Sequence, residues 1–237
     1  MICLTFDTDH MSQENLRKFL KEYVLPGKVT FFVHEYFPFL ESTLHEICPH
    51  PLINDLSSWE EDFKRLVNEF KNRPLGVRTH SCLSSHMMEI SFNKLGYKYV
   101  SNAETLFHKG LKPYRRAWGI WELPIYYMDN MDFWMVPNWP ELGHIPFNRS
   151  VIEEAVTDEA LYVFDFHPLH IVLNTRNSND YNSVKKEIIK GKTSPFELRF
   201  EGRGVGVLFT ELCSEMITRK MRSYTCSEAL KHFGCLD

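Results

Sequence analysis

The sequence predicts a single α/β domain in which βα units surround a parallel sheet or barrel. Three observations lead to this reading. Short apolar runs rich in β-branched and aromatic residues alternate with runs of helical spacing through the first hundred residues. The chain has 237 residues, 43% of them hydrophobic, which is ample for one core, and α/β barrels of this length are routinely single units. No internal repeat, low-complexity tract or linker interrupts it, so residues 1–237 are taken as one domain.

The first ten residues, MICLTFDTDH, set the pattern. Ile2 to Phe6 form a β-prone run that ends abruptly in Asp7 and Asp9. In parallel α/β proteins ligands and metals gather at the carboxyl ends of strands, so two acids there fit the floor of a site. The same acids would also suit a polar loop that caps the next helix. Leu16, Phe19, Leu20 and Val24 then recur at helical spacing behind Ser12 as N-cap, and Pro26 and Gly27 stop the helix. Residues 28–33, KVTFFV, predict a second strand ending in His34 and Glu35, and Leu44 to Cys48 a third, running into the turn that holds His50.

SSWEEDFKRLVNEFKNR carries the plainest helical signal. Ser57 or Ser58 caps it, acids fill its first turn, and Phe63, Leu66, Val67 and Phe70 make the buried stripe. A strand at Leu75 to Arg78, a helix near Met87 to Leu95 and a strand at Tyr97 to Ser101 follow. From 102 to 160 the pattern loosens, and Trp118, Trp121, Trp134 and Trp139 fall in this stretch. Leu161 to Phe166 restore a strand that ends in His167, and a final helix is predicted over Leu208 to Met221.

Charge and composition exclude several classes. The net charge is −4 and no Lys/Arg run exceeds two residues, so nucleic acid and anionic membranes are not expected partners. No apolar stretch approaches the roughly 18 residues of a membrane span, and the chain enters a strand without a basic leader, which predicts a cytoplasmic protein. Six scattered cysteines without CxxC spacing argue against a zinc-thiolate site and read as reduced, mostly buried residues.

Several polar residues stand just past strand ends: Asp7 and Asp9, His34, His50, Arg78 with His80, and His167. In a barrel such positions converge on one rim. Two imidazoles and one carboxylate around a divalent ion leave a position for water, the ligand pattern of a hydrolytic metal site. Zinc suits that donor set first, although cobalt, nickel or iron could take the same geometry.

Five segments, LTFDTD, TFFVHE, HEICPHPLIN, GVRTHS and YVFDFHPLH, occur in this order between residues 2 and 170. Together they resemble the motifs of the polysaccharide deacetylases, carbohydrate esterase family four, and in particular a divergent cytoplasmic branch serving surface-polysaccharide (O-antigen) biosynthesis. LTFDTD resembles the opening Thr-Phe-Asp-Asp motif with one residue inserted between the acids. HEICPHPLIN resembles HEIGNH and puts His50 on the first metal histidine. The second metal histidine of the family falls four residues later, where this chain has Asn54. His80 is the substitute chosen here and His34 the runner-up, while His86 would require the intervening loop to fold back.

The resemblance implies a distorted (β/α) barrel of about seven strands and a metal-dependent deacetylase. Asp9, His50 and His80 would hold the ion, Asp7 would be the general base oriented by Arg78, and His167 the general acid. A neighbouring carboxylate, Asp165 or Asp132, is expected to keep His167 protonated, and His170 is an alternative acid. Trp121, Asp132 and Trp134 are expected substrate contacts, since rings offer flat surfaces to sugars and acids bond hydroxyls. The expected substrate is an acylated amino sugar, more specifically a nucleotide-linked or lipid-linked precursor than a finished polymer. Hydrolysis of a formyl or non-sugar amide, and a sugar-binding relative without activity, are the other readings; the sequence sets no oligomeric state.

Overall fold

The computed structural model describes residues 1–53, 58–134, 143–155 and 159–236. Among them lie nine strands: β1 Ile2–Asp7, β2 Thr30–Val33, β3 Glu46–Pro49, β4 Gly76–Val77, β5 Tyr99–Val100, β6 Tyr114–Arg115, β7 Trp121–Glu122, β8 Ile125–Met128 and β9 Tyr162–Phe166. The helices are α1 Gln13–Glu22, α2 Trp59–Val67, α3 His86–Lys94, α4 Asp129–Trp134, α5 Ser150–Ala155, α6 Pro168–Leu173, α7 Ser178–Ile189, α8 Val205–Thr218 and α9 Cys226–His232. None is long and apolar enough to cross a membrane.

One sheet runs β3-β2-β1-β9-β8 with every pair parallel. The other runs β4-β5-β7-β6, in which only the β6–β7 pair is antiparallel. The described residues thus hold nine short strands in two sheets, where the sequence led to an expectation of about seven strands in a barrel. Backbone bonds continue from one sheet to the other: Arg78 N–H donates to Pro49 O (3.2 Å) and His80 N–H to Pro51 O (3.1 Å). On the far side Ile125 N–H donates to Ala103 O (2.8 Å).

Alternation along β1 separates core from site. Phe6 meets Phe31 of β2, Phe19 of α1 and Phe209 of α8 at ring separations of 5.2, 5.5 and 5.8 Å. Thr5 and Asp7, one position to either side, face the opposite way with the period of two that strands impose. The register of β1 on β9 sets Thr5 beside Asp165. Polar residues of both strands therefore share one interior.

Several boundaries differ from the sequence-based expectation. Ser12 caps α1 as expected, its hydroxyl accepting from Asn15 N–H. The helix stops at Glu22, however, because Tyr23 turns extended and lays its ring on Phe19 (4.9 Å), which leaves Val24 72% exposed rather than on the buried face. β3 starts at Glu46, with Leu44 80% exposed. α2 ends at Val67 and only Phe63 of its stripe is fully buried; Ser58 stands at the N-cap without bonding a backbone N–H, and Ser57 lies outside the described residues. α8 is not the last helix. It is followed by α9, opened by a reciprocal Thr225–Glu228 capping box that the sequence TCSE spells out. All six cysteines are free thiols, four buried and two half-buried.

β4 can pair with β5 only because residue 76 lacks a side chain. A Cβ on Gly76 would sit 2.0 Å from Tyr99 Cζ, and the Tyr99 ring is completely buried. Gly76→Ala is therefore expected to cost about 1–3 kcal/mol or more, as overpacking does, measured by urea unfolding. Wild-type stability would mean that the ring can move aside.

Candidate metal centre

Three side chains from three strand ends converge. Asp9 lies just past β1, in a turn closed by Met11 N–H on Thr8 O (3.0 Å). His50 follows β3, its N–H bonded to Val33 O (2.7 Å). His80 follows β4 and precedes Ser81 and Cys82, both left-handed with φ of 55° and 50°. Neither is glycine, so this turn holds strain of about 1–3 kcal/mol per residue.

His50 Nε2 is 3.3 Å from Asp9 Oδ2, and His80 Nδ1 is 3.4 Å from Asp9 Oδ1. His50 Nδ1 lies 3.0 Å from Arg78 O. A carbonyl only accepts, so Nδ1 carries a proton, which leaves Nε2 as the nitrogen that can ligate, as in metal-binding histidines. Asp9 Oδ2, His50 Nε2 and His80 Nδ1 are all buried without a hydrogen-bond partner, and an orphaned buried polar atom costs about 1–3 kcal/mol. One donor atom from each of Asp9, His50 and His80 lies within 4.8 Å of the other two, close enough for one ion to draw the three together. The set fits a divalent ion. Burial opposes charge on Asp9, yet His50, His80 and His167 hold its carboxyl far below the usual range, so it is available as an anionic ligand.

His34 lies outside this donor group, with Nδ1 3.3 Å from Thr8 Oγ1. His86 stands on α3 against Trp118. Asn54 is outside the described residues, as is Trp139.

Arg78 is completely buried beside this group. Its Nη1 donates to Asp7 Oδ1 (3.0 Å) and to Asp165 Oδ1, while Nε and Nη2 reach Ser101 O and Oγ, both at 2.8 Å. Nη1 also donates to Thr5 Oγ1 (2.9 Å), whose hydroxyl in turn donates to Asp165 Oδ1 (2.8 Å). Burial works against the Arg78 charge, but Asp165 and Asp7 outweigh it. Burial lifts the Asp165 carboxyl to about 7 against the pull of Arg78. Across the group stands His167, with Nε2 3.6 Å from Asp9 Oδ2.

The carboxylate expected beside His167 is neither Asp165 nor Asp132. Asp165 shares the face of His167 as strand alternation requires, but its Oδ1 is engaged by Arg78 and Thr5. Asp132 accepts from Tyr127 Oη and Phe147 N–H, both at 2.9 Å, and faces His144 Nε2 at 2.7 Å. Asp129 takes the role: Oδ1 lies 2.8 Å from His167 Nδ1 and Oδ2 accepts from His167 N–H (2.8 Å). Burial alone would lower the His167 pKa, but Asp129 raises it to about 10. The signal was readable, since IYYM ending in Asp129 repeats the pattern of an apolar run closed by an acid.

His170 is buried on Phe133 and Tyr181, bonds Thr175 Oγ1 (3.2 Å) and is pushed by burial to about 3. Trp121 is half-buried in β7 and Trp134 is exposed at the end of α4. Among the described residues neither donor group includes Trp121, Asp132 or Trp134; the second group is Asp7, Asp9 and His167.

Fold and site together define an α/β protein with a candidate metal centre at the carboxyl ends of its parallel strands. Residues 4–185 match the family of WbmS-like polysaccharide deacetylases, and the chain belongs to that family. A candidate polysaccharide deacetylase involved in O-antigen biosynthesis from Bordetella bronchiseptica superposes with a TM-score of 0.72 at 20% identity, over 90% of each chain. A candidate polysaccharide deacetylase from Mycobacterium smegmatis gives 0.55 at 16% identity, over 98% of this chain and 88% of the other. The 4-alpha-glucanotransferase of Thermococcus litoralis gives 0.53 at 13% identity, over 98% of this chain and 38% of that one. At these identities the likeness is one of fold. No curated protein matches the chain.

Three outcomes follow from the buried charges. Arg78→Gln leaves Asp7 and Asp165 without their cation and should destabilise the protein by about 3–5 kcal/mol in urea unfolding, with partial recovery in the Arg78→Gln/Asp165→Asn double variant. Asp129→Asn should bring the His167 titration, followed by NMR on metal-free protein, from about 10 down toward the ordinary value near 6.5. Because the folded pKa is raised, stabilisation by the Asp129–His167 pair should be complete below about 6.5 and fade as pH rises through about 10.

Proposed function

We propose that this protein is a metal-dependent deacetylase that removes an N-acetyl or other small acyl group from an amino-sugar precursor of surface polysaccharide. The observation that carries the proposal is the trio of buried, unpartnered donors on Asp9, His50 and His80, flanked by an arginine-held carboxylate and an aspartate-held imidazole. Family membership supports the acyl-sugar chemistry, and the link of the Bordetella relative to O-antigen biosynthesis supports a surface-polysaccharide substrate. The continuation of backbone bonds between the two sheets supports reading them as the wall of one distorted (β/α) barrel. We further assign the enzyme to the cytoplasm and its substrate to the nucleotide-linked or lipid-linked precursors.

Asp9, His50 and His80 would hold the ion, most simply zinc for two nitrogens and a carboxylate. When bound, it polarises the amide carbonyl and acidifies a water. Asp7, oriented by Arg78, would take a proton from the attacking water as the water oxygen bonds to the carbonyl carbon. His167 is an imidazolium at neutral pH, oriented through Nδ1 by Asp129, and gives its Nε2 proton to the amine as the C–N bond breaks. The products are a carboxylate and a free amino sugar. Trp121, Asp132 and Trp134 remain proposed substrate contacts.

Purified protein should take up one equivalent of zinc, and His80→Ala should lose it. Loss of metal in His34→Ala with full retention in His80→Ala would transfer the third ligand to His34. Asp7→Asn should keep the metal while deacetylation falls by roughly two to four powers of ten. His167→Ala should lose as much on amides yet cleave an activated ester almost normally, because that leaving group needs no proton. A zinc-loaded wild type inert toward every acylated amino sugar tested would sink the substrate assignment.

A further inference from the structure

We propose that Asn102, backed by Glu122 and Arg116, is a positioning residue that fixes the metal ligand His80. The inference rests on the metal reading above. Asp9 and His50 directly follow the longer parallel strands β1 and β3, and their side chains are buried. His80 follows a two-residue strand, its side chain is 43% exposed, and it precedes two left-handed residues. Of the three donors it is the one whose geometry its own segment holds least firmly.

The turn that carries it is fastened at both ends. At the start, Thr79 N–H donates to Asn102 Oδ1 (3.0 Å). Asn102 is held in turn, because its own N–H and that of Ala103 donate to Glu122 Oε1 at 2.7 and 3.0 Å. At the end, Ser84 Oγ donates to Glu89 Oε1 (3.0 Å). Arg116 joins the two fastenings, with Nη1 on Glu122 Oε2 (2.5 Å) and Nη2 on Glu89 Oε1 (2.6 Å). Glu122 and Glu89 are buried, and Arg116 is half-buried between them.

A buried or half-buried triad of charges is a costly way to hold a fold, since apolar side chains of similar volume often serve stability as well or better. What it supplies is direction. Apolar packing would leave Thr79 N–H free to shift, whereas one oxygen at 3.0 Å fixes the residue next to the ligand, and a metal site tolerates only about half an ångström of error. The network thus holds the backbone just before His80, whose own N–H donates to Pro51 O (3.1 Å), whereas the Arg78 carbonyl meets the His50 ring itself.

The test compares wild type, Asn102→Ala, Asn102→Asp and His80→Ala as full chains. Zinc affinity is read by chelator competition, ligand geometry by the visible absorption of the cobalt-loaded form, and scaffold integrity by thermal unfolding of the metal-free form. Asn102→Ala should bind zinc about 10–100-fold more weakly, as loss of a supporting hydrogen bond does elsewhere, and its cobalt spectrum should move toward that of His80→Ala. Asn102→Asp, which keeps the accepting oxygen, should recover most of the affinity. Unchanged zinc affinity and cobalt spectrum in Asn102→Ala would overturn the proposal while leaving the metal site standing, as would a fall in metal-free stability with the cobalt spectrum intact. Failure of wild type to bind zinc or cobalt would remove the metal reading itself. Should Asn102→Ala not fold, Asn102→Ser, whose hydroxyl is too short to reach the same position, carries the same comparison.

Discussion

The Arg78 guanidinium is the constraint on which the site depends. It is the completely buried cation between two carboxylates of different strands, Asp7 of β1 and Asp165 of β9, and it also bonds the Ser101 backbone beside β5. Burial pushes the Asp165 carboxyl toward its neutral form, and the Arg78 charge pulls the other way. The same residue acts through its backbone, its carbonyl setting the tautomer of His50. One side chain and one carbonyl thus hold the proposed base and a proposed metal ligand in mutual register.

On the other side of the donors the arrangement is inverted in charge. His167 is held by an anion, Asp129, as Asp7 is held by a cation. Asp129 raises the His167 pKa and suits that residue to the acid role, while Arg78 orients the Asp7 carboxylate by a hydrogen bond. The strand pleat makes this affordable in packing terms. Leu4 and Phe6 look toward the helices while Thr5 and Asp7 look inward, so a polar interior at the carboxyl ends coexists with a continuous aromatic core behind it.

Much of this was legible in the sequence. The short apolar, β-prone runs, their abrupt endings in Asp or His, and the alternation with helical runs locate β1, β2, β3 and β9 to within a residue or two and mark Asp7, Asp9, His50, Arg78, His80 and His167, because strand ends and polarity are local properties. The same rule applied to IYYM would have found Asp129, and Thr225–Glu228 announced α9. Val24 differs: its helical spacing is real, but Tyr23 packing on Phe19 ends the helix first, and a contact between side chains leaves no trace in periodicity.

What the sequence determined by itself was the inventory, namely which residue types stand at which strand ends and therefore what chemistry is available. Only the tertiary structure decided the partners. Asp165 and Asp129 are both acids near aromatic runs, and nothing local says that the first belongs to Arg78 and the second to His167. Nor does spacing say that His80 joins His50 and Asp9 while His34 turns to Thr8. Those choices follow from strand register and from the turn after β4, where residues dozens of positions apart come within hydrogen-bond distance. Register is fixed by the burial of whole faces, a property of the packed molecule and of no single segment.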